Sequence, residues 1–262
     1  MRIPNIFTTG DLRENSELTI DDKAAQHLVK VLRMKDGDRI RLFNGSGLFF
    51  PATLIQAGKK GVVVKTTLSE SGLCESRLHT HIGQVMSRGD RMDYAIQKST
   101  ELGVNEITPI ISEHCEVKLN SERREKRIKH WQHVAISAAE QCGRAIVPII
   151  NNVMELPQWL SMNQEKGLNL VMHHRNTRQL TDIHSTPDTV NLLIGPEGGL
   201  STAEVALAIK SGFTPTCFGP RVMRTETAPI VGLSILQWLW GDFQNESDSD
   251  TRSTHKNNLH GL

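Results

Sequence analysis

The sequence predicts an α/β protein, with a mostly parallel sheet covered by helices on both faces and a small β-rich unit in front of it. Two features carry that reading. β-Forming runs separated by tight-turn pairs fill the first seventy or so residues, and further on strands alternate with long helices. Between the two patterns Ser69 to Ser76 is rich in Ser, Gly and Glu, which places a boundary there. Residues 1–72 then form the small unit and 73–243 the α/β domain.

In the small unit, RIRLFN, LFFPATLI and GVVVKTTL read as strands, with turns at Asn44-Gly45, Ser46-Gly47 and Gly58 to Gly61. That pattern suits a small barrel or sandwich. One helix interrupts it, from Asp21 to Met34, where Asp21 or Asp22 caps the amino end and Ala24, Leu28, Val31 and Leu32 recur at helical spacing. Its other face carries His27, Lys30, Arg33 and Lys35.

Beyond the boundary, LHTHIGQVM is a strand, Asp90 to Leu102 a helix closed by Gly103, and EITPIIS a strand. The helix sets Met92, Ala95, Ile96, Ser99 and Leu102 on one face, as a helix lying on a sheet requires. A helix from Ser121 to Cys142 follows, then AIVPII, a helical stretch to Lys166, and the strands LNLVMHH and VNLLI. Gln244 to Leu262 is polar and nearly free of apolar residues, so 244–262 is expected to be a disordered tail.

Composition removes several function classes. Of 262 residues 38% are hydrophobic, and 30 basic against 29 acidic side chains leave a net charge of +1. No global field draws the chain to RNA or to an anionic membrane, so any RNA binding rests on local patches. The four cysteines, Cys74, Cys115, Cys142 and Cys217, contain no C-x-x-C pair, which argues for buried reduced thiols and against a metal cluster. MRIPNIFTTG lacks the apolar core of a signal peptide, and no stretch approaches the roughly 20 apolar residues of a membrane span. A cytoplasmic protein is expected.

Chemistry concentrates in two segments. In VNLLIGPEGGLSTAEVALAIKSG a buried strand ends at Ile194, a glycine-rich turn follows, and Ser201 with Glu204 forms a capping box opening a helix. Gly195, Gly198 and Gly199 let backbone approach a ligand closely. The phosphate-loop and G-x-G-x-x-G spacings are both absent, so this is a ligand loop of another kind at the carboxyl end of a strand, the usual place for sites in open α/β sheets. In CFGPRVMRTETAPIVGLSILQWLW a strand runs through a loop into a helix that Thr225 or Thr227 can cap, with Pro229 in its first turn. From Ile230 to Trp240 that helix is apolar almost all round, so either the domain folds about it or a second subunit covers it.

GPEGGLS and FGPRVMRTETA together resemble the paired signatures of the SPOUT methyltransferases, and specifically the ribosomal RNA small-subunit methyltransferase E family, which makes N3-methyluridine. MRIPNIF, HLVKVLRMKDGD, KSTELGV and AAEQCGRAIVP resemble that family's other blocks in order, so only the tail lies outside. Asn5 departs from it, standing where a basic residue is expected.

The resemblance implies a SPOUT-type domain with a carboxy-terminal trefoil knot, preceded by a PUA-like RNA-binding domain. It implies that S-adenosylmethionine binds in a bent form across three loops. Mapped here, these hold Met172 and His173; then Ile194, Gly195, Pro196, Gly198, Gly199 and Leu200; then Phe218, Gly219, Met223, Arg224, Thr225 and Ala228. Glu226 or Glu197 is the candidate acceptor of the uridine N3 proton, and Arg224 or Arg221 the candidate stabiliser of charge on the neighbouring carbonyl oxygens. Arg2, Lys30, Arg33, Lys35 and Arg144 are candidate RNA contacts, and the partners implied are small-subunit ribosomal RNA and a second copy of the chain. Two other readings are an RNA-binding module without catalysis, which cofactor binding would exclude, and a SPOUT enzyme of transfer RNA ribose, against which HLVKVLR and its attached unit argue.

Overall fold

The computed structural model describes residues 3–58, 61–73, 75–117, 119–173, 180, 183 and 186–244. Arg2, Cys74 and the expected tail from residue 245 onward lie outside them. The first sheet holds β1 (Asn5–Phe7), β2 (Glu17–Thr19), β3 (Arg39–Phe43), β4 (Leu48–Gly58), β5 (Gly61–Thr66) and β6 (Glu70–Ser71). Its ladder runs β1-β3-β4-β5-β2, with β6 on β4; β1 lies parallel to β3 and the remaining pairs are antiparallel. α1 (Asp22–Gln26) packs Ala24 and Ala25 onto Ile6, Ile40, Leu42, Leu54 and Val64. Asp21 fixes its start, accepting the N–H groups of Lys23 and Ala24 and, through its second oxygen, the Thr8 hydroxyl at 2.7 Å.

The helix read from Asp21 to Met34 is shorter than its periodicity suggests. It passes at His27–Val31 into a single π turn, in which the Leu32 N–H donates to the His27 carbonyl, and Arg33 adopts a left-handed φ of 54°. The cause is geometric: Leu28 must stay buried while the chain turns back towards β3, and Asp38 catches the Lys35 N–H at 2.7 Å.

The second sheet is wholly parallel. It contains β7 (His79–Val85), β8 (Glu106–Ile111), β9 (Ile149–Ile150), β10 (Met154–Glu155), β11 (Leu168–Met172), β12 (Thr189–Ile194) and β13 (Thr214–Thr216), in the order β10-β8-β7-β12-β11-β13 with β9 on β8. Both faces of its central strands are covered, so even their polar residues Thr80, Gln84 and Asn191 are buried. α2 (Arg91–Glu101), α3 (Ser121–Cys142) and α6 (Ala228–Trp240) share one core with β7 and β12, while α4 (Leu156–Asn163) and α5 (Thr202–Lys210) help form another around Trp159 and Phe213. Gly83 on β7 is dictated by that second core, since a β-carbon there would come within 2.7 Å of both Trp159 and Ile110.

The two sheets meet through a third cluster. Phe43 and Phe49 of the first pack on Ala139 and Ala145 of the second unit, with Phe7 and Val147 against them. Among the described residues no helix is long and apolar enough to cross a membrane.

α6 does not have all its apolar surface covered within one chain. Ala228, Pro229, Gly232, Leu233 and Leu236 are buried, whereas Trp238 and Leu239 are exposed. Neither threonine caps it with its side chain: Thr227 occupies the cap position without such a bond, and Thr225 is engaged elsewhere. Of the cysteines, Cys115, Cys142 and Cys217 are free and only partly buried.

Candidate active site

The carboxyl ends of β11, β12 and β13 lie side by side, so the loops that leave them converge. Gly195 to Leu200 leaves β12 and closes on itself through the Gly199 N–H to the Pro196 carbonyl, 2.9 Å. The capping box is formed as read: Ser201 Oγ accepts the Glu204 N–H, and Glu204 Oε2 accepts the Ser201 N–H. Glu204 Oε1 also accepts the Glu113 N–H at 2.8 Å, and His114 Nδ1 donates to the Gly199 carbonyl at 3.0 Å, so the loop after β8 braces the glycine turn.

Thr225 ties the other two loops to the sheet. Its hydroxyl donates to the Gly195 carbonyl at 3.1 Å and accepts from Gln84 Nε2 at 3.0 Å. Gln84 is buried near the end of β7, so the chain reaches its own middle strand through one threonine. The His173 N–H donates to the Thr216 carbonyl and continues the β11–β13 pairing by one residue.

These loops enclose a cleft of about 590 Å³. All of the cofactor residues named from the sequence line it except Arg224, and Glu197 and Arg221 line it as well. Arg224 is turned out, with its side chain 81% exposed and its guanidinium 4.0 Å from Glu226. Its carbonyl accepts the N–H groups of both Thr227 and Ala228 in the turn that opens α6. Thr202, Val205 and Val222 also line the cleft; they lie within the two segments read from the sequence but are not among the cofactor residues named there. Gln84 is one of several polar residues in HTHIGQV, and nothing in that strand singles it out.

The two candidate carboxylates differ in setting. Glu197 is bound by Arg91 at 2.6 Å. Glu226 is largely buried, and its Oε2 has no hydrogen-bond partner among the described residues.

The proposed RNA contacts separate into two groups. Lys30, Arg33 and Lys35 are exposed, beside Val31 and Leu32, which also face solvent. Arg144 is not available to RNA. It is 5% exposed, forms a bidentate pair with Glu75 at 2.6 and 3.1 Å, and donates to the carbonyls of Thr100 and Val104. The loop between α3 and β9 buries it, and only complete pairing makes a buried guanidinium tolerable.

Glu140 and Asn5 are likewise structural. Glu140 Oε1 accepts the Phe7 N–H at 2.9 Å, and burial raises its carboxyl above the ordinary 4.5, although that N–H and nearby His27 oppose the shift. Asn5 is buried, donating to the Glu140 carbonyl and accepting from Arg41, so its place in MRIPNIF is explained without RNA.

Two family models match the chain, an RNA methyltransferase domain over residues 74–237 and an RNA methyltransferase PUA domain over residues 20–67. The ribosomal RNA small subunit methyltransferase E of Buchnera aphidicola is 36% identical over 243 residues, which are 93% of this chain and 96% of that one. The chain belongs to the ribosomal RNA small subunit methyltransferase E family. The member from Bacillus subtilis is 30% identical over 88% of this chain and 94% of its own.

Solved structures agree. A methyltransferase from Legionella pneumophila in complex with its cofactor S-adenosylmethionine is 39% identical, with a TM-score of 0.88 over 92% of this chain and all of that one. A family member from Neisseria gonorrhoeae bound to S-adenosylmethionine is 34% identical, with a TM-score of 0.87 over the same shares. S-adenosylmethionine is thus the cofactor of this fold, and the cleft fits it. Its volume lies within the roughly 300–1,000 Å³ of small-molecule sites. Gly199 and Gly219, both at positive φ, have open space where a β-carbon would stand.

Proposed function

We propose that this chain methylates N3 of a uridine in small-subunit ribosomal RNA, with S-adenosylmethionine as methyl donor and a homodimer as the active form. The observation that carries the reading is the convergence of the β11, β12 and β13 loops, signature residues included, on one cofactor-sized cleft. The family's name supplies the substrate class, and uridine N3 follows from the motif resemblance.

When bound, the cofactor supplies an electrophilic methyl carbon on a sulfonium. What the chain must add is orientation, a dry pocket and a destination for the N3 proton. Glu226 is the better acceptor, because Glu197 is already committed to Arg91 and one buried oxygen of Glu226 has no partner among the described residues. As N3 loses its proton, negative charge spreads to the two uracil carbonyl oxygens. Arg224, exposed to solvent beside Glu226, and Arg221 on the cofactor cleft are the guanidinium groups we assign to that charge.

The trefoil knot belongs to the same proposal. Its support is that the segment after edge strand β13 bonds both Gly195 and Gln84 through Thr225 and emerges as α6, whose Gly232 lies against Leu192 of β12. Exposed Trp238 and Leu239 on α6, with Phe243 beyond it, support the dimer.

The test is mass mapping of methylated nucleosides in small-subunit RNA from cells with the intact chain, with Glu226→Gln, and with neither. The intact chain should restore one N3-methyluridine. The glutamine variant should slow transfer in vitro by about 10²-fold, the lower end of general-base contributions, with cofactor affinity unchanged. An undiminished rate in Glu226→Gln would remove that residue from the role; no restored nucleoside would overturn the whole reading.

A further inference from the structure

Beside the cofactor cleft lies a second, more open one of about 690 Å³, between the loop from Arg88 to Arg91, the first turn of α2 and Glu226. The two are neighbours through shared structure. The Arg91–Glu197 ion pair joins them, Arg91 lining the second and Glu197 the first. Thr225 faces the cofactor cleft while the adjacent Glu226 faces the other.

The second cleft offers three kinds of group together. Tyr94, the only tyrosine in the chain, is 47% exposed on a helix whose other face is buried, with the Lys98 ammonium 6.0 Å from its ring centroid. Arg88 and Arg91 supply guanidinium groups, and among the described residues Arg88 is held by an exposed pair with Glu116 at 3.0 Å. Such exposed pairs contribute little, so Arg88 is free to exchange its partner for a phosphate. The third group is the unpartnered buried oxygen of Glu226.

An aromatic face, phosphate-binding forks and a lone hydrogen-bond acceptor are what an unstacked nucleotide needs from a protein. We propose that this second cleft receives the target nucleotide, with Tyr94 stacking on its base, Arg88 and Arg91 contacting the adjoining phosphates, and Glu226 reading the base edge.

This inference rests on the methyltransferase reading and adds a specificity to it. Uracil presents an N–H at position 3, which a carboxylate oxygen accepts; cytosine presents a bare ring nitrogen there, which the same oxygen repels. The cleft therefore selects uracil over cytosine before any bond is made. Asp90 and Glu116 also line it, and they disfavour phosphate anywhere but at the arginines.

The experiment measures labelled methyl transfer from S-adenosylmethionine to small-subunit RNA taken from cells lacking the protein, with cofactor affinity measured by calorimetry on the same samples. Tyr94→Ala should raise KM for RNA by about 5- to 150-fold, the worth of one stacked base, and leave cofactor affinity unchanged. Tyr94→Phe, which keeps the ring, should recover most of that loss. Arg88→Ala should flatten the dependence of log affinity for RNA on log salt by about 0.7 for each phosphate the chain no longer neutralises.

A Tyr94→Ala chain that binds cofactor and transfers methyl with an unchanged KM overturns the cleft assignment and leaves the methyltransferase reading standing. Failure of the intact chain to transfer methyl at all overturns the reading on which the assignment rests. Replacement of the RNA uridines by cytidine with no loss of binding would also overturn the selectivity.

Discussion

Gly199 shows how much of the site depends on single residues. Its φ of 75° allows the turn that returns its N–H to Pro196, and a β-carbon there would face open space on the cleft side. Gly199→Val should therefore leave the core intact, cost roughly 1–3 kcal/mol in backbone strain, and fill the space the cofactor needs. Calorimetry should detect no S-adenosylmethionine binding to a folded variant, and an unchanged affinity would remove the loop from the cofactor site. This residue is readable from the sequence because its signal is local: three glycines after a buried strand. Arg144 is misleading there, because a surface-type side chain in AAEQCGRAIVP gives no hint of Glu75, 69 positions earlier, or of the Thr100 and Val104 carbonyls. Gln84 and Thr225, 141 positions apart, are invisible as a pair for the same reason.

At the scale of elements, β7, β8 and α4 are pinned by a histidine. His81 Nε2 lies 3.2 Å from the Trp159 indole nitrogen, which can only donate, and 2.7 Å from the Thr108 hydroxyl. That ring nitrogen must be an acceptor, so the imidazole is neutral. Burial holds its pKa below the ordinary 6.5, with His79 and Lys166 acting in the same direction and Glu106 and Asn163 opposing. The unfolded chain binds this proton near pH 6.5 and the folded chain only at lower pH, so the contribution to stability is complete above 6.5 and is lost as pH falls towards the folded value. Denaturant titrations should show stability declining from pH 7 to pH 5 with a slope of up to about 1.4 kcal/mol per pH unit from this group. His81→Gln should be less stable at pH 7 and have a flatter profile; equal slopes would show that another group dominates. None of this can be read from LHTHIGQVM, where His81 looks like any polar residue in a strand. α2 and α5 can be read, because their signals are local: an apolar face closed by Gly103 for α2, and a capping box with Gly212 beyond the last turn for α5.

For the molecule as a whole, the uncovered side of α6 is the surface on which the proposed dimer is tested. Trp238 at 56% exposure, with Leu239 and Phe243 also facing solvent, leaves apolar surface that a second copy would bury. Light scattering at micromolar concentration should give twice the mass of one chain, and Trp238→Glu should halve it; a monomer in the intact chain would refute the dimer. The junction between the two sheets has a different consequence, which concerns inheritance. Gly72 lies where a β-carbon would stand 2.6 Å from that of Ala145, Phe43 and Phe49 cover Ala139 and Ala145, and Glu140 holds the Phe7 backbone. A chain started at residue 73 would strip those alanines and leave the raised Glu140 carboxyl without the amide it accepts. The β-rich unit is therefore a poor candidate for transplantation: a foreign module spliced on at this point would have to bring its own phenylalanines and its own backbone amide, or the recipient would lose part of its core.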